Sequence, residues 1–392
     1  MPRPSGLELT VERLATGGDG VGRAPDGRVA FIPFTAPGDR LRVRTTEVRR
    51  RYLRASVIEV IAPGPARVEP VCPVFGRCGG CSWQHLRYAA QLEAKEGILR
   101  DALLRIGKLA SVPERIEMRR SPAAYGYRSR ARVVVEEAGV GFRRRRSRAL
   151  CATPRCPILV PALDATLSEL DRKPQLARGA WGEWELAAGD DGEVSLLGPD
   201  GETLGEKRTR IRIAGDELAI SAGVFSQANL ALRTGLADAV HEAAGEGELA
   251  LELFAGAGFL TLGLARRFRR VVAIESNPRA VRDLRDNLRA ARIDSVEVRC
   301  VPVEDALGGA PLRDLRPDVV VLDPPRTGLP RGVASTLAAA KVVYLSCDPA
   351  TLARDLASLE SRGFRLTQVT GFDLFPQTPH VEALAVAAAA SR

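Results

Sequence analysis

Residues 7–62 alternate short apolar and polar runs, "LELTVERLA", "RVAFIPF", "DRLRVRTTEV" and "LRASVIEVI", separated by Gly, Pro and Asp. A period of two with that punctuation predicts short strands closing into a small antiparallel barrel of the OB type. The stretch "LRYAAQLEAKEGILRDALLRIGKL" spaces Leu92, Leu99, Leu103 and Ile106 as an amphipathic helix ending near Gly107. Next, "YGYRSRARVVVEEAGVGFRRRRSRAL" predicts a hairpin of β-branched strands, and residues 165–215 read as further strand and turn. From about residue 216 the period changes. "GELALELFA", "RVVAIES", "SVEVRC", "PDVVVLDPP" and "KVVYLSC" read as buried strands, with helical "GFLTLGLARRF" and "PRAVRDLRDNLRAARI" between them. Such alternation implies a parallel, doubly wound sheet, whose ligands sit at the carboxyl ends of its strands. The expected division is therefore 1–62, 63–215 and 216–392.

Composition sharpens this picture in two ways. The 392 residues are 45% hydrophobic and 27% charged, enough for two or three cores. The opening "MPRPSGLELTVERL" lacks a basic stretch followed by an apolar one, and no run approaches a membrane span, so a cytoplasmic protein with no membrane partner is expected. The net charge of +9 is unevenly spread: residues 1–160 carry 30 Lys and Arg against 15 Asp and Glu, whereas the remainder carry 27 against 33. A basic amino-terminal half favours a polyanion such as nucleic acid. Arg49, Arg50, Arg51 and Arg54 beside Tyr52 in the barrel, and Arg143, Arg144, Arg145, Arg146 and Arg148 in "RRRRSR", are candidate phosphate contacts; a purely structural barrel and a solvated charge run would show the same residues.

Seven cysteines spread unevenly over a chain of this size do not read as a disulfide framework. Three of them, Cys72, Cys78 and Cys81 in "CPVFGRCGGCSWQH", have the spacing C-x5-C-x2-C, which leaves metal ligation as the natural reading. Two candidates, Cys151 and Cys156 of "CATPRC", stand ready to complete the set, and spacing alone does not choose between iron-sulfur and zinc.

The strand ends carry the remaining chemistry. "ELFAGAGFL" leaves the first strand through Phe254, Gly256 and Gly258, glycines that let backbone approach a ligand; Thr261 replaces the third glycine of a dinucleotide fingerprint. Glu275 closes "VVAIES", where a carboxylate can accept from both hydroxyls of a ribose. Strand, G-x-G, helix, strand and terminal acid in this order resemble class I methyltransferases and imply S-adenosylmethionine. No acid stands at Val303, where many of those enzymes bind the adenine amino group; Glu304, Asp305 or a backbone carbonyl are the alternatives. In "DPPRTGL", Arg326 replaces the aromatic residue usual in amino-group methyltransferases, which disfavours N-methylation. Cys347 in "SCDPAT" lies at a strand end ahead of Pro349 and a helix N-terminus expected to favour its thiolate.

Together, "CPVFGRCGGCSWQH", "GFRRRRS", "CPIL", "GVFSQAN", "ELFAGAGFLT", "LDPPRTG", "SCDPAT" and "FPQTPHVE" resemble, in order and over nearly the whole chain, the RNA uracil-C5 methyltransferases that carry an amino-terminal TRAM domain and an iron-sulfur cluster. The resemblance implies an α/β chain of three parts: an OB-like TRAM barrel, a small β-rich domain with the iron-sulfur site, and a Rossmann-like class I methyltransferase domain. It implies that Cys72, Cys78, Cys81 and Cys156 hold a 4Fe-4S cluster, that Cys347 adds to C6 of uracil, and that Glu382 removes the C5 proton. It further implies that Asp323 holds the uracil edge, that Phe225 and Arg326 contact substrate, and that Gln227, Phe254, Gly256, Gly258, Glu275 and Asp323 line the cofactor. RNA is the implied partner of a monomeric enzyme, ribosomal RNA of the large subunit being preferred to tRNA. An inactive RNA-binding relative, or a methyltransferase for another base or a small molecule, are the competing readings.

Overall fold

The computed structural model describes residues 6–173, 181–308 and 315–389. The amino-terminal strands β1 (Leu7–Leu14), β2 (Gly20–Arg23), β3 (Val29–Ile32), β4 (Arg40–Val48) and β5 (Tyr52–Ala62) close a barrel in the order β1-β2-β3-β5-β4. Leu9, Val11, Ile32, Leu41, Val43 and Leu53 fill its interior, as the period of two requires. The expectation of a wholly antiparallel barrel is corrected at one seam: β3 and β5 run parallel. A closed ring of five strands cannot alternate direction all the way round, so one neighbouring pair must match.

The helix Tyr88–Arg105 follows, then β6 (Glu117–Arg119). The helix buries Ile98, Leu99, Ala102 and Leu103 but also Gln91 and Lys95, while Ile106 is turned to solvent. Its apolar face does not join the central sheet; it packs in one core with Leu352 and Leu356 of the helix Pro349–Glu360. The central sheet is formed by β7 (Arg130–Glu136), β8 (Gly139–Arg143), β9 (Leu150–Ala152), β10 (Gly182–Ala188), β11 (Val194–Leu197) and β12 (Thr203–Gly205), ordered β12-β11-β10-β7-β8-β9. Its predicted first hairpin is β7–β8. Where strand and turn were expected from residue 165, the chain forms the helix Pro161–Arg172. Pro161 opens it, and Leu163, Leu167 and Leu170 at helical spacing pack on Val133, Val135 and Trp184. Residues 174–180 of that expectation lie outside the described residues.

Strands β13 (Arg208–Ile213) and β14 (Asp216–Ser221) form a separate hairpin. The division expected after residue 215 falls on its turn. Ile211, Ile213, Leu218 and Ile220 share a core with Leu284 and Leu288 of the helix Pro278–Ala290, and Asn287 and Asp283 of that helix accept from the Ala219 and Ser221 amides at 2.9 and 2.8 Å.

The large sheet contains β15 (Gly247–Leu253), β16 (Phe268–Glu275), β17 (Val296–Cys300), β18 (Val319–Leu322), β19 (Lys341–Ser346), β20 (Phe364–Phe372) and β21 (Glu382–Ala389), in the order β17-β16-β15-β18-β19-β21-β20-β6. β15 to β19 are parallel, and β21 is inserted antiparallel beside β19. The strand order reverses between β15 and β18, so the crevice beyond their carboxyl ends is the natural ligand site.

Candidate active site

At that crevice the chain leaves β15 through Phe254, Gly256 and Gly258, all with positive φ (65°, 57° and 101°). A Cβ on Gly258 would meet Leu284 Cδ1 at 2.8 Å, whereas one on Gly256 would enter open space. Gly258 is thus required by packing, and Gly256 leaves room in front of the backbone. Glu275, at the end of β16, accepts from the Gly256 amide at 2.9 Å and from the Asn277 amide at 2.7 Å. These two bonds orient the carboxylate and leave it acceptor capacity for hydroxyl donors. Beneath the turn, burial pushes Glu252 up to about 8, with the Asp323 and Glu275 charges adding to the effect. Val303 is buried in the core, and Glu304 and Asp305 are exposed on the first turn of the helix Val303–Gly308. Gln227 is buried, whereas Phe225 is 66% exposed with the Arg130 guanidinium 5.5 Å from its ring centre.

Asp323, Arg326, Cys347 and Glu382 come from three different strand ends and meet in one electrostatic neighbourhood. Ser346 on β19 pairs with Ala383 on β21, so the next step along the ladder sets Cys347 beside Glu382. Burial pushes the Cys347 thiol up to about 11; Glu382 and Asp323 also raise it, and Arg326 opposes them. This corrects the expectation that the following helix would favour the thiolate. Asp348 caps that helix, its carboxylate accepting from the Ala350 and Thr351 amides at 2.9 Å each, so those donors are already satisfied. Burial holds Glu382 well above the usual carboxylate range, and its Oε1 has no hydrogen-bond partner. Burial likewise pushes Asp323 up to about 7. Acids this reluctant to ionise are strong bases once they do.

Side chains with no local sequence signal hold the Arg326 loop. Arg354 donates to the Thr327 carbonyl at 2.9 Å, the Leu329 amide donates to Asp355 at 2.8 Å, and the Tyr344 hydroxyl donates to the same Asp355 oxygen at 2.7 Å. Gly328, with φ of 73°, fits because a Cβ would lie 2.5 Å from Arg354 and Asp355. His380, also unmarked by spacing, shares the neighbourhood; burial lowers it to about 4, and the Arg326 charge acts in the same direction.

A second site lies on the central sheet. Cys72, Cys78, Cys81 and Cys156 line one cavity of about 420 Å³, together with Arg128 and Arg143. Burial pushes Cys78 up to about 11, with Cys151 and then Cys81 and Cys72 adding to the shift, and pushes Cys156 up to about 12, with Cys81 and Cys78 adding. The Gly80 amide points at Cys78 Sγ at 3.4 Å. Cys151 is buried on β9, where its sulfur accepts from Thr153. Among the described residues no three His, Cys, Asp or Glu side chains converge closely enough to hold a single ion. The four thiols surround a space instead of meeting at a point, and the arginines around them suit a group of net negative charge.

The basic runs divide into free and engaged residues. Arg50 and Arg51 are exposed and make no ion pair among the described residues, beside Tyr52, which packs edge-on to Phe31. By contrast, Arg143 pairs with Glu136 at 2.8 Å, and Arg145 lies 4.9 Å over Phe34 and donates to Asp19 at 3.3 Å. Within "RRRRSR", Arg145 is therefore the residue most closely tied to the barrel, while Arg144, Arg146 and Arg148 are exposed. No described helix is long and apolar enough to cross a membrane.

Comparison with known proteins agrees with this geometry. A family described as tRNA (Uracil-5-)-methyltransferase matches residues 208–388, and the TRAM domain family matches residues 5–58. The chain is 33% identical to an uncharacterized RNA methyltransferase of Synechocystis, covering 96% of this chain and 94% of that one. It is also 33% identical to the 23S rRNA (uracil(1939)-C(5))-methyltransferase of Alkalilimnicola ehrlichii, with 97% and 96% covered. The fold is shared with the Pyrococcus abyssi tRNA (uracil-54, C5)-methyltransferase crystallised with S-adenosyl-L-homocysteine, at a TM-score of 0.74 and 24% identity, over 97% of this chain and 100% of that one. With a glycine turn and an acid at the switch point, a cysteine at the neighbouring strand end and relatives matching end to end, the chain belongs to the S-adenosylmethionine-dependent RNA uracil-C5 methyltransferases, with a TRAM barrel at its amino-terminal end.

Proposed function

We propose that the protein methylates C5 of a uridine in 23S ribosomal RNA through a covalent bond between Cys347 and C6. The observation that carries this reading is the meeting of Cys347, Glu382 and Asp323 beside the cofactor crevice. Phe254, Gly256, Gly258, Glu275, Gln227 and Asp323 line the place where S-adenosylmethionine supplies an electrophilic methyl group. Cys347 Sγ, once deprotonated, bonds to C6, and the C5–C6 π pair shifts toward C5 and the C4 carbonyl, which makes C5 nucleophilic. Asp323 accepts or shares a hydrogen at the uracil edge, and Arg326 offsets the negative charge that gathers. When C5 carries its methyl group, Glu382 takes the C5 proton; that electron pair restores the C5–C6 double bond and expels Cys347 as thiolate. Phe225, exposed and stacked on Arg130, is placed to hold an unstacked base.

Four cysteines around one cavity support a 4Fe-4S cluster held by Cys72, Cys78, Cys81 and Cys156, a structural staple for a segment with little secondary structure of its own. The reading further has a cytoplasmic monomer whose catalytic part begins near Arg208, so that the β13–β14 hairpin stays whole. The named rRNA relatives favour 23S RNA, and the fold shared with a tRNA enzyme keeps tRNA as the second reading.

The test uses RNA containing 5-fluorouridine, whose C5 fluorine no base removes. Wild-type protein should form an adduct that survives denaturation, with the nucleotide on Cys347 by mass spectrometry. Cys347→Ala should form none while still binding RNA and cofactor. Glu382→Gln should accumulate a methylated adduct on ordinary RNA. Attachment at Cys300 would overturn the assignment, and mapping 5-methyluridine in 23S RNA and tRNA from cells with and without the gene decides the substrate.

A further inference from the structure

Glu382 begins β21, and the nine residues between it and β20, Asp373–Val381, form the connection that carries it. Most of the hydrogen bonds that fix this connection come from residues upstream of the catalytic fold; within that fold Asn229 donates to the Leu374 carbonyl at 3.2 Å and Leu374 is buried in the core. The buried Lys95 ammonium pairs with Asp373 and donates to the Phe375 carbonyl at 3.0 Å. The Tyr127 hydroxyl donates to the Pro376 carbonyl at 2.9 Å. Pro379 packs against Gly18 of the barrel, where an added Cβ would lie 3.1 Å from the proline ring.

Gln377 is the most heavily tied residue of the connection. Its carbonyl accepts from both the Ser82 amide, at 3.1 Å, and the Trp83 amide, at 3.0 Å; these are the two residues immediately after Cys81. Its own amide donates to Gln91 Oε1 at 2.8 Å, and its Oε1 accepts from Gln91 Nε2 at 3.0 Å. Gln91 Nε2 also donates to the Trp83 and Leu86 carbonyls. Gln377 is 3% exposed and holds a φ of 68°, a conformation that a glutamine keeps only where its surroundings impose it. Only His380 and Val381 separate the Pro379 contact from Glu382.

We infer that Gln377 is a positioning residue that fixes Glu382 for removal of the C5 proton, and that through it the backbone just after the cysteine segment sets the geometry of the elimination step. The inference rests on the reading of Glu382 as the base. It separates two halves of the reaction. Cys347 lies just past the end of β19, ahead of a helix that Asp348 caps, so on this inference thiolate addition does not depend on Gln377, whereas release of the methylated product does.

The test measures the two halves separately. Gln377→Gly removes the side-chain bonds to Gln91 Nε2 and the Ala124 carbonyl at a position whose φ glycine adopts without strain, and Gln91→Ala removes both bonds between Gln91 and Gln377, the one to the Gln377 amide included. Both variants should form the 5-fluorouridine adduct at the wild-type rate and bind S-adenosylmethionine as wild type does. On ordinary RNA both should accumulate methylated adduct, with release slowed by up to about 100-fold, the loss a misplacement of order 1 Å can bring. Adduct formation that falls in step with release, or release that is unchanged in the variant that folds, would overturn the inference. Glu382→Gln run alongside tells the two claims apart. If it accumulates methylated adduct and the glutamine variants do not, only the positioning role fails; if it accumulates none, the assignment of the base fails and takes the inference with it.

Discussion

The Arg326 charge opposes the upward push that burial, Glu382 and Asp323 exert on the Cys347 thiol. A thiol pushed up in this way holds its proton at neutral pH. Alkylation requires the thiolate, so a thiol pushed up to about 11 should react faster with every step of rising pH. Labelling of Cys347 by iodoacetamide, followed by mass spectrometry, should still be accelerating between about pH 8 and 10. Arg326→Ala removes the opposing charge and should move the curve further up. A plateau below pH 8 in the unaltered protein would contradict this account.

The cysteine cavity makes a prediction about ligand identity. Anaerobically purified protein should contain about four iron and four sulfide and be brown, and Cys72→Ala, Cys78→Ala, Cys81→Ala or Cys156→Ala should lose that content and melt earlier. Cys151→Ala should keep it, because Cys151 does not line the cavity. Stoichiometric zinc without sulfide would rule the cluster out.

RNA binding should separate free arginines from engaged ones. Arg50→Ala and Arg51→Ala should each reduce the slope of log affinity against log salt by about 0.7 for a contact to single-stranded RNA. Arg145→Ala should change that slope little and instead loosen the barrel, since it loses both Phe34 and Asp19; limited proteolysis of the barrel would report it. Equal slope changes for all three would show that the tie to Asp19 does not survive RNA binding.

The buried pair between Lys95 and Asp373 is costly to break from one side. Lys95→Met leaves the Asp373 carboxylate without its cation and should cost about 3–5 kcal/mol in urea unfolding. Adding Asp373→Leu should recover a large part of that loss, because the uncompensated charge is gone. A single substitution as mild as the double one would mean that water reaches Asp373.

Much of this protein was determined by short-range pattern. The period of two closed the barrel interior, and the strand-helix alternation after residue 216 placed Phe254, Glu275, Asp323 and Cys347 at strand ends, because a buried parallel strand must be apolar until it meets its ligand. The helix Pro161–Arg172 was misread as strand and turn, although Pro161 and the Leu163, Leu167, Leu170 spacing were in the sequence. Other features depended on contacts between distant segments. The parallel β3–β5 seam follows from closing an odd number of strands. Lys95 and Gln91 look like ordinary polar helix residues until the connection ahead of Glu382 folds over them. Glu382 itself is one carboxylate among 48 acidic residues, and nothing local marks it. Its setting is made when β21 returns antiparallel beside β19, which buries the carboxyl, leaves its Oε1 with no hydrogen-bond partner among the described residues and sets it next to Cys347. Hydrophobic period is written residue by residue; the desolvation and the neighbour that make an acid reactive are supplied by chain arriving from elsewhere.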